Sequence, residues 1–259
     1  MDTLSIGKHN PWLADIRKAV QRGTLTRDGL LPVEGPKLIR DACAGGVSVV
    51  ALLLREGAAS DGLPKATLTY TLEPGAFKGI QSTEHSQGVI ALVRPRSWTL
   101  DEVVARSPAP LVVLAGVQDP GNVGTLLRVA ESFGAAGCLA LAGTAAIHNA
   151  KVVRASAGSV FRLPCVWDLD LTMVRETLAK RKIPLIGTSP HATQPITTRD
   201  WTLPAAVLIG NEGAGLSPEQ EAACTELLRI PHEPAIESLN SAVAAAVVLY
   251  EAYRRRNAP

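Results

Sequence analysis

Residues 111–141 read LVVLAGVQDPGNVGTLLRVAESFGAAGCLAL, and their rhythm decides the fold class. Leu111–Gly116 is an apolar run, a polar glycine-rich loop follows, Val123–Phe133 reads as a helix, and Gly137–Leu141 is apolar again. Short continuous apolar runs mark strands buried on both faces, and a helix between two of them is the crossover of a parallel pair. The unit recurs downstream. Lys151–Ala157 and Leu171–Lys182 read as helices, Ile183–Gly187 and Ala205–Gly210 as strands. Pro218–Cys224 follows as a helix, Leu227–Ile230 as a strand and Ser241–Arg255 as a closing helix. This alternation predicts an α/β domain over residues 110–259, its parallel sheet covered on both faces.

Upstream the rhythm differs. Asn10-Pro11 is an N-cap followed by proline at the first helical position, which opens a helix to about Gln21. Pro36 opens a second helix, Lys37–Ala44, closed by Gly45-Gly46. Val47–Leu54, Thr67–Leu72 and Val89–Val93 read as strands, giving a smaller α/β domain over residues 1–95. Three prolines between Pro95 and Pro110 place a linker at residues 96–109.

Composition narrows the function classes. With 259 residues, 46% of them hydrophobic, the chain has enough apolar surface to offset ordering entropy, which excludes a disordered protein. No apolar run reaches the roughly 20 residues of a membrane span. The N-terminus lacks a basic segment followed by an apolar core, so a cytoplasmic protein is expected. The four cysteines are scattered, with no Cys-x-x-Cys pair and no histidine at ligand spacing; buried reduced thiols and no metal are expected. Residues 1–100 hold 12 Lys/Arg against 9 Asp/Glu, and residues 101–259 hold 14 against 15. The first part is therefore the better platform for a polyanion.

In parallel sheets, ligands bind in the loops leaving the carboxyl ends of the strands. The loop from Gly116 to Arg128 has the glycine spacing of a phosphate-binding loop, but Asn122-Val123 stands where Lys-Ser/Thr is required. It also lacks Gly-x-Gly-x-x-Gly and the acid that follows it in dinucleotide sites. What remains is an amide, Asn122, expected in the loop, and a guanidinium, Arg128, expected about two turns into the helix. These suit a phosphate or sugar, or serve as a cap and a solvent-facing charge. Ile186–His191 reads as a small polar turn with His191 exposed. Gly210-Asn-Glu-Gly-Ala-Gly215 lets backbone approach a ligand closely and carries one acid, Glu212. In Ile230–Asn240, Glu237, Ser238 and Asn240 crowd the entrance of an apolar helix, where Ser238 or Asn240 could be simply the N-cap. That Ala-rich helix could pack internally or approach another helix closely at an interface.

Taken in order, Asn-Val-Gly-x-x-x-Arg at 122–128, Gly-Asn-Glu-Gly-x-Gly at 210–215, and Ile-Pro at 230–231 joined to Glu-Ser-Leu-Asn at 237–240 resemble the SpoU (TrmH-like) family of SPOUT methyltransferases. Val-Val-Arg-Ala-Ser-Ala-Gly at 152–158, Val-Glu-Gly-Pro-Lys-Leu-Ile at 33–39 and Thr-Glu-His-Ser-Gln-Gly-Val-Ile at 83–90 extend the likeness over nearly the whole chain. The resemblance implies S-adenosyl-L-methionine-dependent 2′-O-methylation of an RNA ribose by a homodimer joined through its C-terminal domain. It also implies a trefoil knot in that domain, preceded by a smaller ribosomal-protein-like RNA-binding domain. Carried over residue by residue, Asn122, Arg128, Glu212, Ser238 and Asn240 form the catalytic group. Thr188, Gly210, Asn211, Ile230 and Leu239 hold the cofactor, and Lys37, Arg40 and Arg128 meet RNA. His232-Glu233 departs from the apolar residue many relatives carry after Ile-Pro, and no catalytic role is given to His232.

A ribose hydroxyl is a poor nucleophile at neutral pH, so the residues must align it and help its proton leave. Arginine keeps its charge to above about pH 12, so Arg128 is read as a clamp on phosphate and developing alkoxide, with RNA phosphate or water taking the proton. Ribosomal RNA is the favoured substrate and transfer RNA the alternative; an antibiotic-resistance enzyme acting on ribosomal RNA would show the same motifs. A non-catalytic RNA-binding relative would have lost Asn122, Arg128 or the cofactor loop, and all are intact.

Overall fold

A computed structural model describes residues 3–6, 10–233 and 235–258. The chain opens with β1 (Thr3–Ile6), α1 (Pro11–Arg22), β2 (Leu31–Glu34), α2 (Pro36–Ala44) and β3 (Ser48–Arg55). Next come β4 (Leu68–Leu72), α3 (Pro74–Lys78), β5 (Val89–Arg94), α4 (Leu100–Val104), β6 (Leu111–Leu114), α5 (Pro120–Ser132) and β7 (Gly137–Leu141). Two short helices, α6 (Ala150–Ala155) and α7 (Ser159–Arg162), precede β8 (Cys165–Leu169), α8 (Leu171–Lys180), β9 (Leu185–Thr188) and β10 (Gln194–Pro195). The chain closes with β11 (Ala206–Ile209), α9 (Pro218–Ala223), β12 (Glu226–Arg229) and α10 (Ser241–Arg256). Two compact units result: Met1–Arg96 with Ala146–Arg162, and Ser97–Ala145 with Leu163–Pro259.

The first unit is built on a mixed sheet of order β1-β4-β3-β5-β2. β1, β4 and β3 run parallel, and β5 is antiparallel to both β3 and β2. Side chains alternate across β3: Leu52 and Leu54 join Ile39 and Ala42 of α2, while Ala51 and Leu53 join Leu13, Ile16 and Phe77 of α1 and α3. Val153 and Phe161, from α6 and α7, are buried in the Leu52–Ile39 cluster. That burial takes residues 146–162 into this unit, although the sequence alone groups them with the second domain. Glu34 ties two of the sequence motifs together. Its carboxylate accepts hydrogen bonds from the Ser82 N–H and Oγ and from Thr83 Oγ1, each at 2.6 Å, and Arg154 donates to Ser82 Oγ at 3.0 Å. Burial pushes the Glu34 pKa up, but donation from Ser82, Ser86 and Thr83 more than offsets this and leaves it below the usual value.

The second unit carries a seven-stranded sheet of order β10-β12-β9-β11-β6-β7-β8, parallel at every pairing. One face buries Leu111, Val113, Leu139 and Leu208 against Val103 and Val104 of α4 and Val174 and Leu178 of α8. The other is covered by α5 and α10, which pack on each other and bury Leu126, Leu127, Ala130, Ala245, Val248 and Leu249. The α/β architecture with a doubly covered parallel sheet is thus the expected one.

Several local features differ from the sequence reading. The stretch read as a linker holds α4, opened by a capping box in which Thr99 Oγ1 accepts from the Glu102 N–H and the Glu102 carboxylate accepts from the Thr99 N–H. β2 escapes the sequence reading because Pro32 weakens a strand signal; its position at the end of the sheet order is where proline is tolerated. β8 escapes it because Trp167-Asp168 interrupts its short apolar run. All four cysteines are free, but only Cys138 is buried; Cys43, Cys165 and Cys224 are half-buried. Among the described residues, no helix is long and apolar enough to cross a membrane.

Candidate active site

The carboxyl ends of β9, β11, β6 and β12 each feed one of the loops singled out in the sequence. β11 ends at Ile209, and the following residues fold back on themselves: the Asn211 N–H donates to the Gly215 carbonyl and the Gly215 N–H to the Asn211 carbonyl, both at 3.0 Å. Asn211 Oδ1 accepts from the Gly213 and Ala214 N–H groups, and its Nδ2 donates to the Gly116 carbonyl at 2.9 Å. One amide therefore shapes the β11 loop and ties it to the loop after β6. Gly210 is required by close packing: a Cβ there would lie 2.4 Å from the Gly215 carbonyl carbon and 2.5 Å from its oxygen. Gly187, within β9, is less constrained: a Cβ there would meet side-chain ends rather than backbone, the nearest being that of Leu227 at 2.6 Å.

The loops after β9, β11 and β12 line a cavity of about 430 Å³, within the size range of small-molecule sites. Thr188, Gly210, Asn211, Ile230 and Leu239 all line it, as do Glu212 and Ser238. Ile209, Leu216 and Ala244 supply apolar walls, while the Gly210–Gly215 turn offers backbone. A nucleoside carrying an amino-acid chain matches that mixture: apolar surface for a base, backbone and side-chain polar groups for the rest. Among the described residues, no group of three His, Cys, Asp or Glu side chains is placed to hold a metal ion.

At the edge of the cavity the start of α5, the β11 loop and the N-cap of α10 are joined by side chains. Asn122 Nδ2 donates to Glu212 Oε1 at 3.0 Å, and Asn240 Nδ2 donates to Asn122 Oδ1 at 3.3 Å. The Glu212 carboxylate also accepts from the Gln118 and Asp119 N–H groups. Burial raises the Glu212 pKa, but the Asn122 amide and the backbone N–H groups of Glu212, Gln118 and Asp119 more than compensate, so its net shift is downward. Asn240 is at the same time the N-cap of α10, its Oδ1 accepting from the Ala242 and Val243 N–H groups.

One placement corrects the sequence reading. Asn122 is not in the loop: α5 begins at Pro120, and Asp119 caps it by accepting the Asn122 N–H at 2.9 Å. Asn122 and Arg128 therefore share one helix. At about 100° and 1.5 Å per residue, their separation of six positions puts Arg128 about 120° around the axis and about 9 Å along it. Arg128 is exposed, does not line the cavity, and makes no side-chain hydrogen bond or ion pair among the described residues. The structure thus brings Asn122, Glu212 and Asn240 together, sets Ser238 on the cavity wall, and holds Arg128 apart. Lys37 and Arg40 lie in the other unit, both exposed, three residues apart on α2.

Sequence reasoning misses several lining residues. It marks His191 only as a loop histidine and Glu221 as a helix-start acid; both border the cavity. His232 borders it too, with Nδ1 2.7 Å from the Ile230 carbonyl and Nε2 3.1 Å from that of Ile236, so the ring braces its own loop. Ser241 stands in the sequence only as the start of a helix. A hydroxyl at the head of an otherwise apolar helix is the available signal.

The profile of the SpoU rRNA methylase family matches residues 109–250. A Synechocystis sp. protein described as an uncharacterized tRNA/rRNA methyltransferase is 33% identical over 258 residues, covering 95% of this chain and 92% of its own length. The 23S rRNA (guanosine-2′-O-)-methyltransferase RlmB of Ralstonia nicotianae is 34% identical over 185 residues, covering 70% and 74% of the two chains. The crystal structure of the SpoU methyltransferase AviRb from Streptomyces viridochromogenes in complex with AdoMet superposes with a TM-score of 0.84 at 29% identity, covering 96% of this chain and 99% of that one.

Proposed function

The chain belongs to the SpoU rRNA methylase family, and from that premise we propose that it methylates the 2′-hydroxyl of a ribose in ribosomal RNA, using S-adenosyl-L-methionine. The observation that carries this reading is the cavity that gathers Thr188, the Gly210–Gly215 turn, Ile230 and Leu239, with Glu212, Asn122 and Asn240 linked at its edge. When bound, the cofactor supplies a methyl group already activated on a sulfonium.

The chain's own residues then have four tasks. Thr188, Gly210, Asn211, Ile230 and Leu239 hold the cofactor, largely through backbone and apolar surface. Glu212, ionised and held by its donors, fixes Asn122, and Asn122 with Asn240 and Ser238 orients the ribose. Arg128 clamps a neighbouring phosphate and stabilises the developing alkoxide, while the proton passes to RNA phosphate or water. Lys37 and Arg40 give the first unit, in this reading the RNA-docking domain, an exposed basic pair for the RNA backbone.

The family's trefoil knot and its homodimer belong to the same reading. The knot is supported by the return of Ile230–Asn240 to the cavity that the β9 and β11 loops also line. The dimer is supported by α10, where Val243, Val247 and Tyr250 form an exposed apolar stripe at helical spacing. Action in the cytoplasm follows from the substrate. Incubating the protein with methyl-labelled cofactor and, separately, ribosomal and transfer RNA tests the substrate class. Label is expected in ribosomal RNA; label confined to transfer RNA would assign the enzyme to the other substrate.

A further inference from the structure

Among the described residues, three buried side-chain polar atoms have no hydrogen-bond partner: Ser107 Oγ, Arg199 Nε and Ser241 Oγ. Of these residues only Ser241 borders the cavity, and it is only 6% exposed. A buried hydroxyl without a partner is a net penalty to the folded chain, so its presence calls for a use.

The helix makes no use of it. Ser241 is the first residue of α10, and the capping role is already filled by Asn240, whose Oδ1 takes the Ala242 and Val243 N–H groups. A serine inside a helix usually donates to the carbonyl four residues back, but at the first helical position that residue lies outside the helix. Asn240 has also committed its Nδ2 to Asn122. The side-chain polar capacity left in the first turn of α10, beside Leu239 and Ala244 on the cavity wall, is therefore the Ser241 hydroxyl. Its setting at the positive end of a sixteen-residue helix favours an electron-rich partner.

We propose that Ser241 is a cofactor-binding residue: its hydroxyl turns about χ1 and donates a hydrogen bond to an acceptor atom of the bound cofactor. The proposal rests on the cofactor reading of this cavity. It has an unusual consequence, because removing the hydroxyl should affect the free and the loaded protein in opposite directions. Ser241→Ala relieves the unpaired group in the free protein and removes a hydrogen bond from the loaded one.

Calorimetric titration of the intact protein and of Ser241→Ala with S-adenosylhomocysteine and S-adenosylmethionine, together with thermal unfolding of each without ligand, tests this. The expected result is about a 3- to 10-fold weaker Kd for the variant, the range of one neutral hydrogen bond, with its ligand-free Tm equal to or above that of the unaltered protein. Equal affinities would overturn the proposal while leaving the cofactor reading intact. A lower ligand-free Tm would also overturn it, by showing that the hydroxyl serves the fold. Failure of the unaltered protein to bind either ligand would overturn both the cofactor reading and the inference that rests on it.

Discussion

An arginine that holds its proton to above about pH 12 is expensive to use as a base at neutral pH, so the work left for Arg128 is that of a planar, permanently charged fork. Its exposure, with no side-chain partner among the described residues, suits a group kept available for RNA. Lysine keeps the charge but loses the two-pronged plane. Arg128→Lys is expected to lower kcat about 100-fold with little change in cofactor Kd, measured by single-turnover methyl transfer. Near-normal turnover would leave the charge, rather than the fork, as the active feature. Glu34 offers a second test, of stability. Its pKa lies below the usual 4.5, so its contribution is complete above the unfolded-state value and is lost as the pH falls through the folded-state value. Glu34→Gln should therefore cost about 1 kcal/mol at pH 7, after allowance for a half-exposed site. In urea unfolding at a series of pH values, the difference should close in acid below the folded-state value.

At the scale of elements, the β11 strand and its turn are the part of the site least tolerant of change. Gly210→Ala would press a methyl group into the Gly215 peptide, and the turn that Asn211 organises would have to move. Cofactor affinity is expected to fall at least about 10-fold, equivalent to about 1.4 kcal/mol, by calorimetry, with far-ultraviolet dichroism unchanged. This turn is legible in the sequence, because glycines directly after a continuous apolar strand have few other uses. Of the parallel sheet, β6, β7, β9, β11 and β12 are legible as short apolar runs, whereas β8 and the two-residue β10 are not. α4 is signalled by Thr99-x-x-Glu102, but three surrounding prolines point instead to a linker. Asn122 is misplaced unless Asp119-Pro120 is read as cap and first helical residue, and its angular relation to Arg128 is hidden with it. Ser241 is marked in the sequence only as a hydroxyl at the head of an apolar run; its missing hydrogen-bond partner leaves no mark there.

For the whole molecule, the pertinent quantities are assembly and charge. If the α10 stripe joins two copies, Val247→Glu places unpaired charge in that interface, and sedimentation equilibrium should show a shift from dimer to monomer. A dimer unaffected by the change would place the interface elsewhere. If Lys37 and Arg40 neutralise phosphates, replacing both by alanine should weaken RNA binding and leave cofactor Kd unchanged. The slope of log K against log salt should then fall by about 2, one for each phosphate no longer neutralised. An unchanged slope would remove them from the RNA surface. The measurement that bears most directly on the chemistry is the position of the transferred methyl. Ribosomal RNA labelled by the protein from methyl-labelled S-adenosyl-L-methionine is digested with alkali, which cannot cleave a phosphodiester beside a 2′-O-methyl ribose. The label is expected in an alkali-resistant dinucleotide, and in none when Arg128→Ala replaces the unaltered protein. Label recovered in ordinary mononucleotides would place the methyl on a base and contradict ribose methylation by this site.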